Sequence, residues 1–303
     1  WPENYFDLFG SLKGEDFPQH FYVEQFIPHP RHIEVQIMGD RHGNILHLGE
    51  RDCSIQRRNQ KIVEESPAPN LSDSLRTKII GAALRIARIF SYDNAGTVEF
   101  LMSGDEFFFL EINPRIQVEH GVTEIVTGVD LVKEQITIAA GERISFSQEE
   151  VFPKGHALEC RICAESPLRN FIPSSGQILN YAPPTDKDIR IDSDCYPGHR
   201  VKHNYDSLLS KLMVHGKDRE EAILKMEKAL ENYVITGVEH TIPLLRLIMQ
   251  NPSFRKGQVD TSFLWSEDIL EVLSHEQQEL QTKAILSAAI IQHFKEQMKK
   301  EQQ

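Results

Sequence analysis

The sequence predicts an α+β fold: a mostly antiparallel sheet with flanking helices, followed by a smaller αβ domain. Three observations carry this. Strand-like stretches alternate apolar and polar residues at period two. In His32–Met38, Ile33, Val35 and Ile37 fall on one face, and His32, Glu34 and Gln36 on the other. Short turn sequences, Gly39-Asp40-Arg41-His42-Gly43-Asn44 and Ser103-Gly104-Asp105, join neighbouring strands as hairpins. A helical stripe of Leu75, Ile79, Ala82, Ala83 and Ile86 follows the first strands and supplies an apolar face to cover them.

In order along the chain, Phe21–Ile27, His32–Met38 and Ile45–Gly49 read as strands, the first two parted by Pro28 and Pro30. A short strand follows the polar run that ends at Lys61. The first strong helix spans about 72–90, with Ser72 or Asn70 as its N-cap. Gly96–Leu101 and Phe107–Asn113 form a hairpin, and helices are expected near 118–127 and 130–140. After Phe152-Pro153 the pattern turns to short strands and prolines, then helices at 218–235 and 240–250. The expected organisation is an unassigned leader (1–20), a first domain (21–150), a second (151–268) and a helical tail (269–303), with the boundary near 146–154. Ser274 and Gln277 are placed to form a capping box at the start of the tail helix.

Composition bounds the function. The 303 residues carry a net charge of −12, so nothing points to a nucleic-acid or anionic-membrane surface. No apolar run approaches the roughly 20 residues of a membrane span. The four cysteines are too few for a disulfide framework. Cys160 and Cys163 have metal-knuckle spacing but lie in a strand-like run with no second pair, which argues against zinc. A reducing, cytoplasmic setting is expected, with the mitochondrial matrix as the alternative.

The chemistry concentrates between Glu99 and His120. Glu99 and Glu111 are symmetric about Asp105, the middle of the predicted hairpin, so they are expected to oppose each other. Cross-strand Cβ atoms lie about 4.5–5.5 Å apart, and two like charges at that distance need neutralising. Asn113 continues the same face. Two carboxylates and an amide oxygen suit a hard divalent cation. The neighbouring Phe107-Phe108-Phe109-Leu110 predicts a strand buried on both faces, which would make an unpaired Glu111 costly. Arg115, Gln117 and Glu119 alternate after the hairpin and are expected to converge, an arginine to hold a small planar anion and a carboxylate to take its proton. The loop from Arg51 to Lys61 places four cations, Arg51, Arg57, Arg58 and Lys61, near these acidic strands, which suggests an anion cradle.

Five segments in order resemble biotin carboxylase, the ATP-grasp component of acetyl-CoA, propionyl-CoA, methylcrotonyl-CoA and pyruvate carboxylases. They are His32-Ile-Glu-Val-Gln36, Glu50-Arg-Asp-Cys-Ser-Ile-Gln-Arg-Arg58 with Gln60-Lys61, Gly96-Thr-Val-Glu-Phe100, Glu111-Ile-Asn-Pro-Arg-Ile-Gln-Val-Glu-His120 and Gly155-His-Ala-Leu-Glu-Cys-Arg161. Spacing holds from about Phe21 to Leu264. The resemblance implies an ATP-grasp C-lobe followed by a biotin carboxylase C-terminal αβ domain.

By the same resemblance, Glu24, Gln25, Phe26 and Ile27 form a hinge strand beside adenine, His32 approaches the ribose, and Gln56 and Asn59 lie near the nucleotide. Glu99, Glu111 and Asn113 hold Mg²⁺ or Mn²⁺, two ions in all, bridging the phosphates of ATP. Lys61, Arg115, Gln117 and the Val118 amide bind bicarbonate. Glu119 is the general base, and Arg161 with Arg115 stabilises the biotin enolate. Biotin arrives on a carrier protein, and a carboxyltransferase and a second copy of the chain are further implied partners.

Two residues depart from the family pattern: Asn59 stands where a histidine is common, and Gly121 replaces a proline, which is expected to loosen the helix start. The family's N-terminal domain, glycine-rich phosphate lid and two nucleotide-binding lysines have no counterpart in this sequence, so the chain is expected to be an incomplete enzyme. Two other readings stand beside it: another ATP-grasp ligase of the carbamoyl-phosphate type, and a non-catalytic binding or dimerisation module.

Overall fold

The computed structural model describes residues 24–266 and 268–301, with side chains as far as 293. Eight strands form one sheet: β1 (Arg31–Gly39), β2 (Ile45–Arg57), β3 (Gln60–Ser66), β4 (Asn94–Ser103), β5 (Glu106–Asn113), β6 (His156–Cys163), β7 (Ile189–Ser193) and β8 (Leu208–Gly216). Their order is β7-β8-β6-β3-β2-β1-β4-β5, and every neighbouring pair is antiparallel. The six principal helices are α1 (Asp73–Ile89), α2 (His120–Thr127), α3 (Leu131–Ala139), α4 (Arg219–Asn232), α5 (Ile242–Gln250) and α6 (Ile269–Glu301).

The period-two pattern of β1 decides which face carries chemistry. Ile33, Val35 and Ile37 pack against Leu75, Ile79 and Ala83 of α1, together with Val98 and Phe100 of β4. The opposite face of β1 carries His32, Glu34 and Gln36, all buried. Ser72 caps α1, its side chain accepting from the Leu75 N–H, while Asn70 instead donates to Lys256 O and Gly257 O. A second, larger core lies between β6, β8, α4 and α5, around Leu158, Leu212, Met226 and Leu245. The sheet itself is continuous across residues 146–154, because β3 pairs with β6.

Three local expectations fail. Glu24–Ile27 has no strand geometry, and Phe26 is largely exposed; Pro28 and Pro30 each remove a backbone donor next to the segment, which leaves no ladder to join. The rest of that expected strand and the leader lie outside the described residues. Ser274 caps nothing, since α6 begins at Ile269. Phe107–Leu110 is not buried on both faces: β5 is the edge strand, with Phe109 53% and Leu110 38% exposed.

Candidate active site

The polar face of β1 meets a densely charged centre. Arg51 sits opposite Glu34 in the β1–β2 register and is fully buried. Its Nε donates to Glu34 Oε1 at 2.5 Å, Nη1 to Gln36 Oε1 at 2.8 Å and Thr123 Oγ1 at 2.9 Å, and Nη2 to Thr97 Oγ1 at 3.2 Å and Gln117 Oε1 at 3.3 Å. All five guanidinium donors therefore have acceptors. One side chain ties together β1, β2, β4, α2 and the loop that precedes α2.

Arg51 thereby drops out of the expected anion cradle. Arg51 is a buried structural cation, Arg57 pairs with Glu165, and exposed Arg58 donates to Asn170 O at 3.0 Å. Lys61 lines the cleft beside Arg57 and Arg58, and it is already surrounded. Its Nζ donates to Glu34 Oε2 at 2.5 Å, Glu99 Oε1 at 2.9 Å and Glu119 Oε1 at 2.6 Å. Burial works against the charges of both Glu34 and Lys61. Attraction outweighs it: Arg51 first and then Lys61 hold Glu34 down at about 2, and Glu34 pushes Lys61 up.

Glu119 is 2% exposed and sits at the N-cap of α2. Lys61 reaches one oxygen, and Arg161 Nη2 reaches the other at 2.8 Å. Arg161 is anchored in turn through Nε to Glu64 Oε1 at 2.5 Å. Lys211 of β8 donates to the Val118 carbonyl at 3.0 Å and fixes the peptide before Glu119. Arg115, Gln117 and Glu119 do line one cleft, but residues 114–119 form a loop rather than a continued strand, so the convergence comes from the turn into α2.

The hairpin places Glu99 directly across from Glu111. It does so with a bulge: the turn residues Gly104-Asp105 alone would oppose Glu99 to Leu110, and the extra residue restores Glu111. Asn113 Nδ2 donates to Glu99 Oε1 and to Glu111 Oε1, both at 3.0 Å. Gln117 adds a bond to Glu99 at 2.6 Å, and His32 Nε2 lies 3.0 Å from its other oxygen. Burial alone would raise Glu99, yet His32 and Lys61 hold it well below the usual carboxylate range. Three oxygen-bearing side chains thus converge at the cleft wall. The Asn113 amide bridges the two carboxylates where positive charge is needed, and its turned-over orientation offers Oδ1 to a hard cation. The donor set fits Mg²⁺.

These residues line a cleft of 1180 Å³. Of the expected nucleotide residues, Gln25, Phe26, Ile27, His32, Gln56 and Asn59 line it, and Glu24 does not. Gln56 donates to Cys53 O and meets His32 Nδ1 at 2.9 Å. Asn59 and Arg58 form the β2–β3 turn with φ of 62° and 49°, a left-handed pair that asparagine tolerates well. At Gly121 the first turn of α2 packs closely on β8: a Cβ there would lie 2.3 Å from Met213 Sδ.

Sequence reasoning missed several residues. Glu34 was visible on the polar face of β1 but received no role. Lys211, Glu64 and the cleft-wall residues Phe171, Thr261, Ser262 and Trp265 come from distant segments with no local signal.

Comparison with known proteins bears on the family. Residues 14–147 match the family described as carbamoyl-phosphate synthase L chain, ATP binding domain, and residues 159–266 match the biotin carboxylase C-terminal domain. The chain carries an ATP-binding domain followed by a biotin carboxylase C-terminal domain, and its relatives at 44–50% identity are named biotin carboxylase or pyruvate carboxylase subunit. It is 50% identical over 268 residues to a biotin carboxylase of Nostoc sp., covering 87% of this chain and 60% of that protein. It is 50% identical over 243 residues to a pyruvate carboxylase subunit from Methanothermobacter thermautotrophicus, covering 80% of this chain and 50% of the relative. The biotin carboxylase domain dimer of Hydrogenobacter thermophilus 2-oxoglutarate carboxylase, in complex with MgADP, ADP and bicarbonate, superposes with a TM-score of 0.80 at 46% identity. That match covers 82% of this chain and 55% of the other. The chain spans about half the length of the biotin carboxylase relatives it matches. No helix among the described residues is long and apolar enough to cross a membrane.

Proposed function

We propose that the chain supplies the base, bicarbonate and metal residues for ATP- and bicarbonate-dependent carboxylation of biotin on a carrier protein. The observation that carries this is the placement of Glu119: buried, with Lys61 on one oxygen and Arg161 on the other, in the same cleft as the Glu99–Glu111–Asn113 set.

Glu99, Glu111 and Asn113 would hold Mg²⁺, with Mn²⁺ as the alternative; when bound, the ions neutralise charge on the ATP phosphates. Arg115, exposed at the cleft wall, and Lys61 receive bicarbonate, with Gln117 and Val118 orienting it. Bicarbonate must compete for Lys61, whose three donors are all on carboxylates before it enters. Glu119 takes the bicarbonate proton, and the freed oxygen attacks the γ-phosphorus as the bond to ADP breaks. The carboxyphosphate separates into CO₂ and phosphate. Phosphate takes the ureido proton of biotin, and Arg161 and Arg115 stabilise the enolate that attacks CO₂. Gln25, Phe26, Ile27, His32, Gln56 and Asn59 form the nucleotide side of the cleft. A carrier protein, a carboxyltransferase and a second copy of the chain are the partners, in the cytoplasm or the mitochondrial matrix.

The test is Glu119→Gln in the full-length carboxylase carrying this segment, read as carboxybiotin formed per ATP. Loss of carboxybiotin with nucleotide binding retained supports the base assignment, and unchanged carboxylation overturns it.

A further inference from the structure

Behind Arg161 lies a pair of acids that the proposed reaction does not use. Glu64 of β3 and Glu159 of β6 face each other directly in the strand register, and both are fully buried. Arg161, two residues along β6 and on the same face as Glu159, donates to one Glu64 oxygen. The other Glu64 oxygen and both Glu159 oxygens have no hydrogen-bond partner among the described residues. The first turn of α2 closes over them: a Cβ on Gly121 would sit 3.5 Å from Glu159 Oε2.

Two ionised carboxylates so placed would repel each other in a region from which water is excluded. The cations facing them are already committed. Lys61 on β3 holds Glu34, Glu99 and Glu119, and Lys211 on β8 holds Val118 O and pairs with Asp192 at 3.1 Å. Arg161 on β6 is shared with Glu119, which brings a further negative charge from the start of α2. The nearby thiols of Cys53 and Cys160 are pushed up by burial and stay neutral.

We infer that Glu64 and Glu159 share one proton and act as a positioning pair for Arg161, Glu64 holding the guanidinium Nε with Glu159 behind it, while the guanidinium's other edge meets Glu119 and the cleft. The purpose assigned to the pair rests on the function proposed above; the shared proton does not. Burial raises Glu64 to about 7 and raises Glu159 well above the carboxylate range, in keeping with a proton held between them.

The test uses this chain without nucleotide or biotin. An infrared pH titration should show a protonated-carboxyl band at pH values where exposed carboxylates are ionised. In ¹⁵N-arginine-labelled protein, the Arg161 Nε–H should exchange slowly and shift in step with that band. Glu159→Gln should remove the band and the shift while keeping Arg161 protected. Glu64→Gln should keep a carboxyl band but speed Arg161 exchange. Stability should fall as pH rises from the usual carboxylate value toward about 7, with a slope of about one proton taken up on folding, and Glu159→Gln should flatten it. A wild-type chain with no such band, a band unchanged by Glu159→Gln, or Arg161 exchange unaffected by Glu64→Gln each overturns the inference. Failure to carboxylate biotin with these signatures intact would count against the proposed function alone.

Discussion

The two ends of the charged face behave differently. At the centre of the sheet, around β1, β2, β3 and β6, every cation is matched before any ligand arrives: Arg51 to Glu34, Lys61 to three carboxylates, Arg161 to Glu64 and Glu119. At the edge, on β5 and the loop after it, Glu111 and Arg115 are exposed, held among the described residues by Asn113 and by backbone. Buried charge must be paired to fold at all, whereas exposed charge is free to wait for ligand. The centre is therefore fixed by its own pairs, and the edge keeps its charges exposed to the cleft.

The largest expected effect lies where the two regions meet. Glu119→Gln should lower carboxybiotin formation by about 10²–10⁴-fold, the usual worth of a positioned general base, in a steady-state assay of the full-length enzyme. Next is the pair of arginines. Arg51→Leu leaves Glu34 buried with only Lys61 to offset its charge and strips the donor from Gln36, Thr97, Gln117 and Thr123; it should cost about 3–5 kcal/mol in urea unfolding, whereas Arg115→Leu should change stability by less than about 0.5 kcal/mol. Equal losses for both would erase the distinction between centre and edge.

Acid should act on the centre in the same sense. Glu34 is held at about 2, below its ordinary 4.5, chiefly because Arg51 and Lys61 overcome the cost of burial. The native state therefore binds fewer protons than the unfolded chain in that window. This stability is fully present above pH 4.5 and is lost as pH falls toward 2, which a series of melts at decreasing pH would follow. The smallest effect is at the edge. Glu111→Gln should leave the melting temperature nearly unchanged and weaken the gain in ADP affinity that Mg²⁺ provides, as read by calorimetry.

The same division explains what was legible in the sequence. The hairpin pairing of Glu99 with Glu111 was readable because both lie on adjacent strands, although the bulge that secures it left no trace in the symmetry argument. The polar face of β1 was readable from alternation. The role of Arg51 was not: its acceptors come from positions 34, 36, 97, 117 and 123, and local charge density mistook a buried pair for an anion site. The burial of β5 was misjudged because four apolar residues in a row look alike on a central strand and on an edge. Glu64 and Glu159 carry no local signal of their own, and only the β3–β6 register brings them together.

Glu119 acting as the base that readies bicarbonate for attack on ATP requires oxygen to pass from bicarbonate to phosphate. Supplying the full-length enzyme with ¹⁸O-bicarbonate and ATP, and analysing the released phosphate by mass, tests it most directly. Phosphate should acquire ¹⁸O from bicarbonate, and Glu119→Gln should abolish the transfer. Unlabelled phosphate from an enzyme that still forms carboxybiotin would contradict it.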